Sequence, residues 1–142
     1  MPFPLAAEPY MPHRLPMRLV DQLLFCDENR AEVEAHVDPN HLLLDSNGRL
    51  EELTAIELLA QAQAVAQGYR DSHAGEPVKT GYLVGISRFR IHSSARTGER
   101  LHIHVETTAE LGDFALVEGE IHAEGRLLAQ GSLKLWVNSP GG

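Results

Sequence analysis

The sequence predicts an α+β domain in which an antiparallel sheet of six strands wraps around one long central helix. Three observations carry that prediction. Seventeen residues from Leu53 to Tyr69 contain no proline and are rich in Leu, Ala, Glu and Gln, all strong helix formers. The segments on both sides of this stretch alternate apolar and polar residues with the period of two expected of half-buried strands. The 142 residues fit one domain large enough to bury a core without staples.

The helix organises the rest. Leu53, Ile56, Leu59, Ala60, Ala62, Val65 and Ala66 wrap most of its circumference, which predicts burial inside another layer. Glu57 is its one ionisable residue. At about 100° per residue it shares a face with Thr54, Gln61, Ala64 and Gly68. A carboxylate on such a helix either lines a cavity or is held by hydrogen bonds, because burying it alone is costly. A glutamate early in a helix is also stabilised by the macrodipole, so both readings stand at this point.

Before the helix, residues 1–16 hold five of the eight prolines and read as an extended arm without regular structure. Strands follow from Met17 to Cys26 and from Arg30 to Val37, with a turn at Asp27-Glu28-Asn29. A loop from His41 to Glu52 carries Leu42, Leu43 and Leu44 and turns at Asn47-Gly48. After the helix, a polar loop leads to four strands that read as an antiparallel meander. They are Tyr82 to Ile91, Arg100 to Leu111, Phe114 to Ala123 and Arg126 to Val137. Gly112-Asp113 and Glu124-Gly125 supply the last two turns, and residues 138–142 form a tail. This order of elements is that of the hotdog architecture, here a single domain over residues 1–142.

Composition excludes several functions. A net charge of −8 argues against general nucleic-acid binding. No apolar run reaches the ~18 residues of a membrane span, and the N-terminus lacks a signal-peptide pattern, so the expected compartment is the cytoplasm. The single cysteine, Cys26, sits in an apolar run and reads as a buried small hydrophobe. Charge is uneven along the chain. From Lys79 to Arg100 there are five positive residues and one negative, leaving −12 for the remainder. That excess marks either a docking patch for an acidic partner or a solvated strand face. His102 and His104 share a strand face with His122 near them, but no third ligand at motif spacing points to a metal.

Three blocks carry a resemblance. Met11-Pro12-His13-Arg14-Leu15-Pro16-Met17-Arg18-Leu19-Val20-Asp21 resembles the "LPHRYPFLLVDRV" segment of the 3-hydroxyacyl-carrier-protein dehydratases. Ile56-Glu57-Leu58-Leu59-Ala60-Gln61-Ala62 resembles their "LEAMAQA" helix. Tyr82-Leu83-Val84-Gly85-Ile86, Arg88-Phe89-Arg90 and Thr97-Gly98-Glu99 resemble "YLAGID", "RFR" and "PGD". More narrowly, the chain resembles the dehydratase-like branch of bacterial aryl-polyene and related pigment clusters. The family's catalytic histidine lies in a Gly-His-Phe-Pro-Gly loop, fourteen residues before the helix carboxylate. Here that position is Leu43, the loop motif is absent, and the nearest histidine is His41.

The resemblance implies removal of water from a 3-hydroxyacyl thioester. The expected catalytic residues are His41 as base, Glu57 as acid with its pKa raised by burial, and Gln61 as the group that orients Glu57 or the departing water. Backbone N–H groups near Thr54, at the start of the helix, and near Gly85 and Ile86 are the expected partners of the thioester oxygen. No metal or organic cofactor is implied. The substrate rides on the phosphopantetheine of an acidic acyl carrier protein, for which Arg88, Arg90, Arg96 and Arg100 form the expected docking patch. Hotdog proteins of this kind pair edge to edge, so a homodimer, or a heterodimer or tetramer with another hotdog dehydratase, is expected. Two alternatives accompany this reading: a partly inactive subunit that stabilises a complete dehydratase, and an acyl thioesterase on the same fold.

Overall fold

The computed structural model describes residues 2–12, 18–37, 54–77 and 80–138. Among these residues, seven strands form one antiparallel sheet around one helix. The strands are β1 (Leu5–Ala6), β2 (Gln22–Cys26), β3 (Arg30–His36), β4 (Thr80–Ile91), β5 (Arg100–Leu111), β6 (Phe114–Ala123) and β7 (Arg126–Asn138). The helix, α1, runs Thr54–His73, and a 3-10 turn spans Glu8–Tyr10. Across the sheet the order is β1-β2-β3-β5-β6-β7-β4.

The helix and all six expected strands are present, with three corrections. The sheet has seven strands rather than six, because Leu5–Ala6 pairs with Leu23 and Gln22. The described part of the N-terminal arm, residues 2–12, therefore includes a paired strand, which contact with β2 rather than local propensity provides. The last four strands are not one meander. β5, β6 and β7 follow one another, but β4 crosses over to pair with β7 at the sheet edge. The first long strand also begins later than Met17: residues 18–20 are irregular and pairing starts at Gln22.

Local chemistry explains the turns. Asp27 Oδ1 accepts hydrogen bonds from the backbone N–H groups of Asn29 and Arg30, at 2.9 and 2.7 Å, closing the β2–β3 hairpin. These bonds hold the Asp27 carboxyl below its ordinary pKa, since they favour the charged form. At the β6–β7 hairpin, Glu124 and Gly125 both take positive φ, 52° and 78°, as a type I′ turn requires.

Leu58, Leu59, Ala62, Val65 and Ala66 of α1 pack with Val33, Ile103, Val105, Val117, Ile121 and Leu133 of the sheet's inner face in a single core. Leu59 sits directly on Gly119, where a Cβ would stand 2.6 Å from its Cδ2. Cys26 is buried as expected, and burial pushes its thiol pKa up. The helix is not enclosed on all sides, however. Glu57 is exposed in the single chain, and Ala60, Ala64 and Gln67 are half-buried along one flank. Among the described residues, no helix is long and apolar enough to cross a membrane.

Candidate active site

Glu57 and Gln61 are one turn apart on α1, close enough for their side chains to meet. Gln61 Nε2 donates to Glu57 Oε1 at 2.9 Å. Gln61 is only 1% exposed, and its Oε1 accepts the backbone N–H of Leu19 at 2.8 Å. The Leu19 amide is an obligate donor, so it must face the Gln61 oxygen, and the Gln61 NH2 is turned towards the carboxylate. A residue just ahead of β2 thereby fixes the orientation of a group on the helix. A protonated Glu57 accepts this bond through Oε1 as its carbonyl oxygen, leaving the proton on Oε2.

The burial expected for Glu57 is not supplied by its own chain. Glu57 is exposed on the flank of α1, where Gln61 holds one of its carboxyl oxygens. Thr54 is buried at the first turn of α1. Gly85 and Ile86 lie in β4, at the open edge of the sheet, and Ile86 is 37% exposed. His41 and residues 42–44 lie outside the described residues.

The expected cationic patch is divided. Arg88 and Arg90 are exposed on β4, where a bulge between Ser87 and Arg90 places Arg88 at φ 54°. Arg96 is exposed in the following loop. Arg100 begins β5, three strand positions away from β4 and therefore about 14 Å across the sheet. It is engaged there by Glu34, at 3.8 Å, and by His36 Nε2, at 3.1 Å. Among the described residues, Arg88, Arg90 and Arg96 have no side-chain ion pair, so they form the freer part of the patch.

His102 faces His122 across β5 and β6, as expected from their shared face, but each is paired with a carboxylate. Glu32 lies 3.1 Å from His102, and Glu120 lies 2.9 Å from His122. Among the described residues, no cluster of His, Cys, Asp and Glu has the geometry to hold a metal.

A cavity of about 480 Å³ runs beside α1. Ala60, Gln63, Ala64 and Gln67 form its helical wall, and Leu83, Ala115, Leu135 and Val137 contribute from the inner face of the sheet. Gln63 Nε2 approaches Thr107 Oγ1 at 3.4 Å along this wall. The cavity begins one turn beyond Glu57. Sequence reasoning did not locate it: Ala60 counts as an apolar core residue in the helical pattern, and Ala64 lies on the Glu57 face, for which a cavity was only one of two readings.

A helix wrapped by an antiparallel sheet, with Glu57 bonded to Gln61 on the helix and a cavity along its following turns, defines a hotdog-fold protein. The family model of the ApeP-like proteins, described as ApeP dehydratase, matches residues 5–140, and the chain belongs to this family. The 3-hydroxyacyl-(acyl-carrier-protein) dehydratase FabZ of Caldicellulosiruptor bescii is 30% identical over 129 residues, covering 83% of this chain and 90% of that protein. FabZ of Bacillus cereus is 30% identical over 130 residues, covering 82% and 87%. Among solved structures, the dehydratase heterocomplex ApeI:P of Xenorhabdus doucetiae contains a chain with a TM-score of 0.88 and 27% identity, covering 96% of this chain and 93% of its own. A hypothetical thioesterase of Streptococcus pneumoniae solved with coenzyme A aligns with a TM-score of 0.68 over 82% of this chain and 87% of its own. At 14% identity that likeness shows the fold alone.

Proposed function

We propose that this chain contributes the acid of a site that removes water from a 3-hydroxyacyl thioester carried on an acyl carrier protein, giving a trans-2-enoyl thioester. The observation that carries the reading is the chain of hydrogen bonds from Leu19 N–H through Gln61 to Glu57. It presents one carboxyl oxygen of fixed orientation beside a cavity. In the reaction a base takes the α-proton and the electron pair moves to form the α–β double bond. The β-carbon–oxygen bond breaks, and Glu57 Oε2 gives its proton to the departing hydroxyl, which leaves as water. The base is a histidine, either His41 or one supplied by a partner subunit. Thr54, Gly85 and Ile86 remain candidates for binding the thioester. No cofactor is needed beyond the carrier's phosphopantetheine.

Arg88, Arg90 and Arg96 suit an acidic carrier, with attraction that weakens as salt rises. The resemblance to the aryl-polyene branch favours a polyene thioester over a saturated one.

A second reading has its own support. Glu57 is open to solvent in the single chain, β4 leaves a long edge unpaired, and the ApeI:P neighbour is a heterocomplex. These favour a subunit that completes its site against a second hotdog dehydratase. Mass spectrometry of carrier-bound 3-hydroxyacyl substrate separates the readings. Loss of water with the purified chain alone would establish a self-sufficient enzyme. Loss of water only after a second hotdog subunit is added would establish the paired site. In either case Glu57→Gln should slow turnover by about 10²–10⁴-fold with the fold intact. Unchanged turnover would remove Glu57 from the mechanism, and release of free acid in place of water loss would move the chain to the thioesterases.

A further inference from the structure

The cavity beside α1 has a far end, and the chain's own N-terminus builds it. Pro9, Tyr10, Met11 and Pro12 line the cavity together with the helix and the hairpin of β5 and β6. The helical wall runs from Ala60 to Gln67, about 10 Å at ~1.5 Å per residue. Ala60 is one turn from Glu57, and Gln67 is next to Gly68, where the arm crosses the helix.

That crossing is tightly made. A Cβ on Gly68 would overlap the Tyr10 carbonyl oxygen and stand 2.8 Å from its carbon, so the arm's backbone lies directly on the helix. The Tyr10 ring meets Tyr69 edge-on at 5.7 Å between centroids. Upstream, Ala7 N–H donates to the Asp21 carbonyl at 3.0 Å, and β1 pairs with β2. Glu8 lies 3.5 Å from Arg18. Backbone pairing, a glycine contact and an ion pair together hold the arm in place, which makes it a wall of defined position.

We propose that the N-terminal arm at residues 9–12 is the end wall of the acyl-chain cavity and sets the length of chain the protein accepts. This rests on the reading that an acyl thioester reacts at Glu57. The reacting carbons then lie at the helix start, the tail runs along Ala60, Ala64 and Gln67, and the arm stops it. Tyr10 and Ala64 are the specificity-determining positions, Tyr10 at the end of the cavity and Ala64 on its side.

The test is binding, independent of turnover. A series of saturated acyl-pantetheine thioesters of increasing length, which have no hydroxyl to lose, is titrated against the full chain, together with its partner subunit if one co-purifies. Each methylene that finds room should tighten binding by about fourfold, until the arm is reached and the gain ends. In Tyr10→Ala the gain should continue to longer chains. Gly68→Ala should act in the same direction by pushing the arm away, and Ala64→Leu should end the gain at a shorter chain. An unchanged break point in both Tyr10→Ala and Ala64→Leu, or affinity indifferent to chain length in the wild type, would overturn the proposal. A break point that moves as expected in a protein that removes no water either alone or with a second hotdog subunit would support the length gauge and refute the dehydratase reading, so the two failures are distinct.

Discussion

The two edges of the sheet are built on opposite plans. At one edge β1 is two residues long, β2 carries a bulge between Leu23 and Phe25, and the N-terminal arm lies alongside. Short, bulged and covered edges resist pairing with other chains. At the other edge β4 is twelve residues long and, among the described residues, has no neighbour beyond it in the sheet. Tyr82, Leu83, Val84 and Ile86 are all exposed there, Val84 by 52%. A long unpaired strand with apolar side chains on both faces is a template for another strand. The contrast teaches that one edge is finished within the chain and the other is left open in the single chain.

The largest expected effect comes from attacking the open edge. Val84→Lys with Ile86→Lys should convert an assembled protein to monomer, read by light scattering, with little change in melting temperature of the separated chain. Assembly that survives would place the interface elsewhere. An intermediate effect is expected at the closed edge. Leu23 is fully buried in β2, and Leu23→Ala should destabilise by about 2–5 kcal/mol in denaturant unfolding, with oligomeric state unchanged. The smallest effect belongs to the hairpin that joins β2 and β3. The Asp27 carboxyl has a lowered pKa in the folded chain, so its contribution is present above the unfolded value near 3.9 and is lost as pH falls through the folded one. Because Asp27 is exposed, Asp27→Ala should cost no more than about 0.5 kcal/mol at neutral pH. Wild type and variant should converge in acid, and a gap that widens there would refute the role of its charge.

Much of this fold was legible in the sequence because it is written in local periodicity. Six strands and the helix follow from alternation, helix formers and turn residues. What was not legible is what depends on distant partners. β1 exists because Leu5 meets Leu23, and the prolines around it carry no strand signal. The crossover of β4 to β7 has no local signature, and pairing each strand with its neighbour in sequence puts β4 wrongly beside β5. In the candidate site, the helix motif singles out Glu57 and Gln61 as a pair, and the structure joins them. The tether to Leu19 spans 42 residues and could not be read from spacing. Alanine is the remaining ambiguity. Its small side chain suits both a tight core contact, as at Ala62, and the wall of a void, as at Ala60 and Ala64. The cationic run between Lys79 and Arg100 is continuous in sequence, but the sheet sends Arg100 to another strand and to acidic company.

The double engagement of the Gln61 amide has a spectroscopic consequence. Leu19 N–H is remote from the carboxyl group in sequence and never touches it, yet both are bonded to the same rigid amide plane. Drawing electron density towards Glu57, by protonation or by a ligand at Oε2, changes how strongly the Gln61 oxygen accepts from Leu19. The amide resonance of Leu19 is therefore a built-in reporter of events at position 57, readable by nuclear magnetic resonance without any label placed in the site.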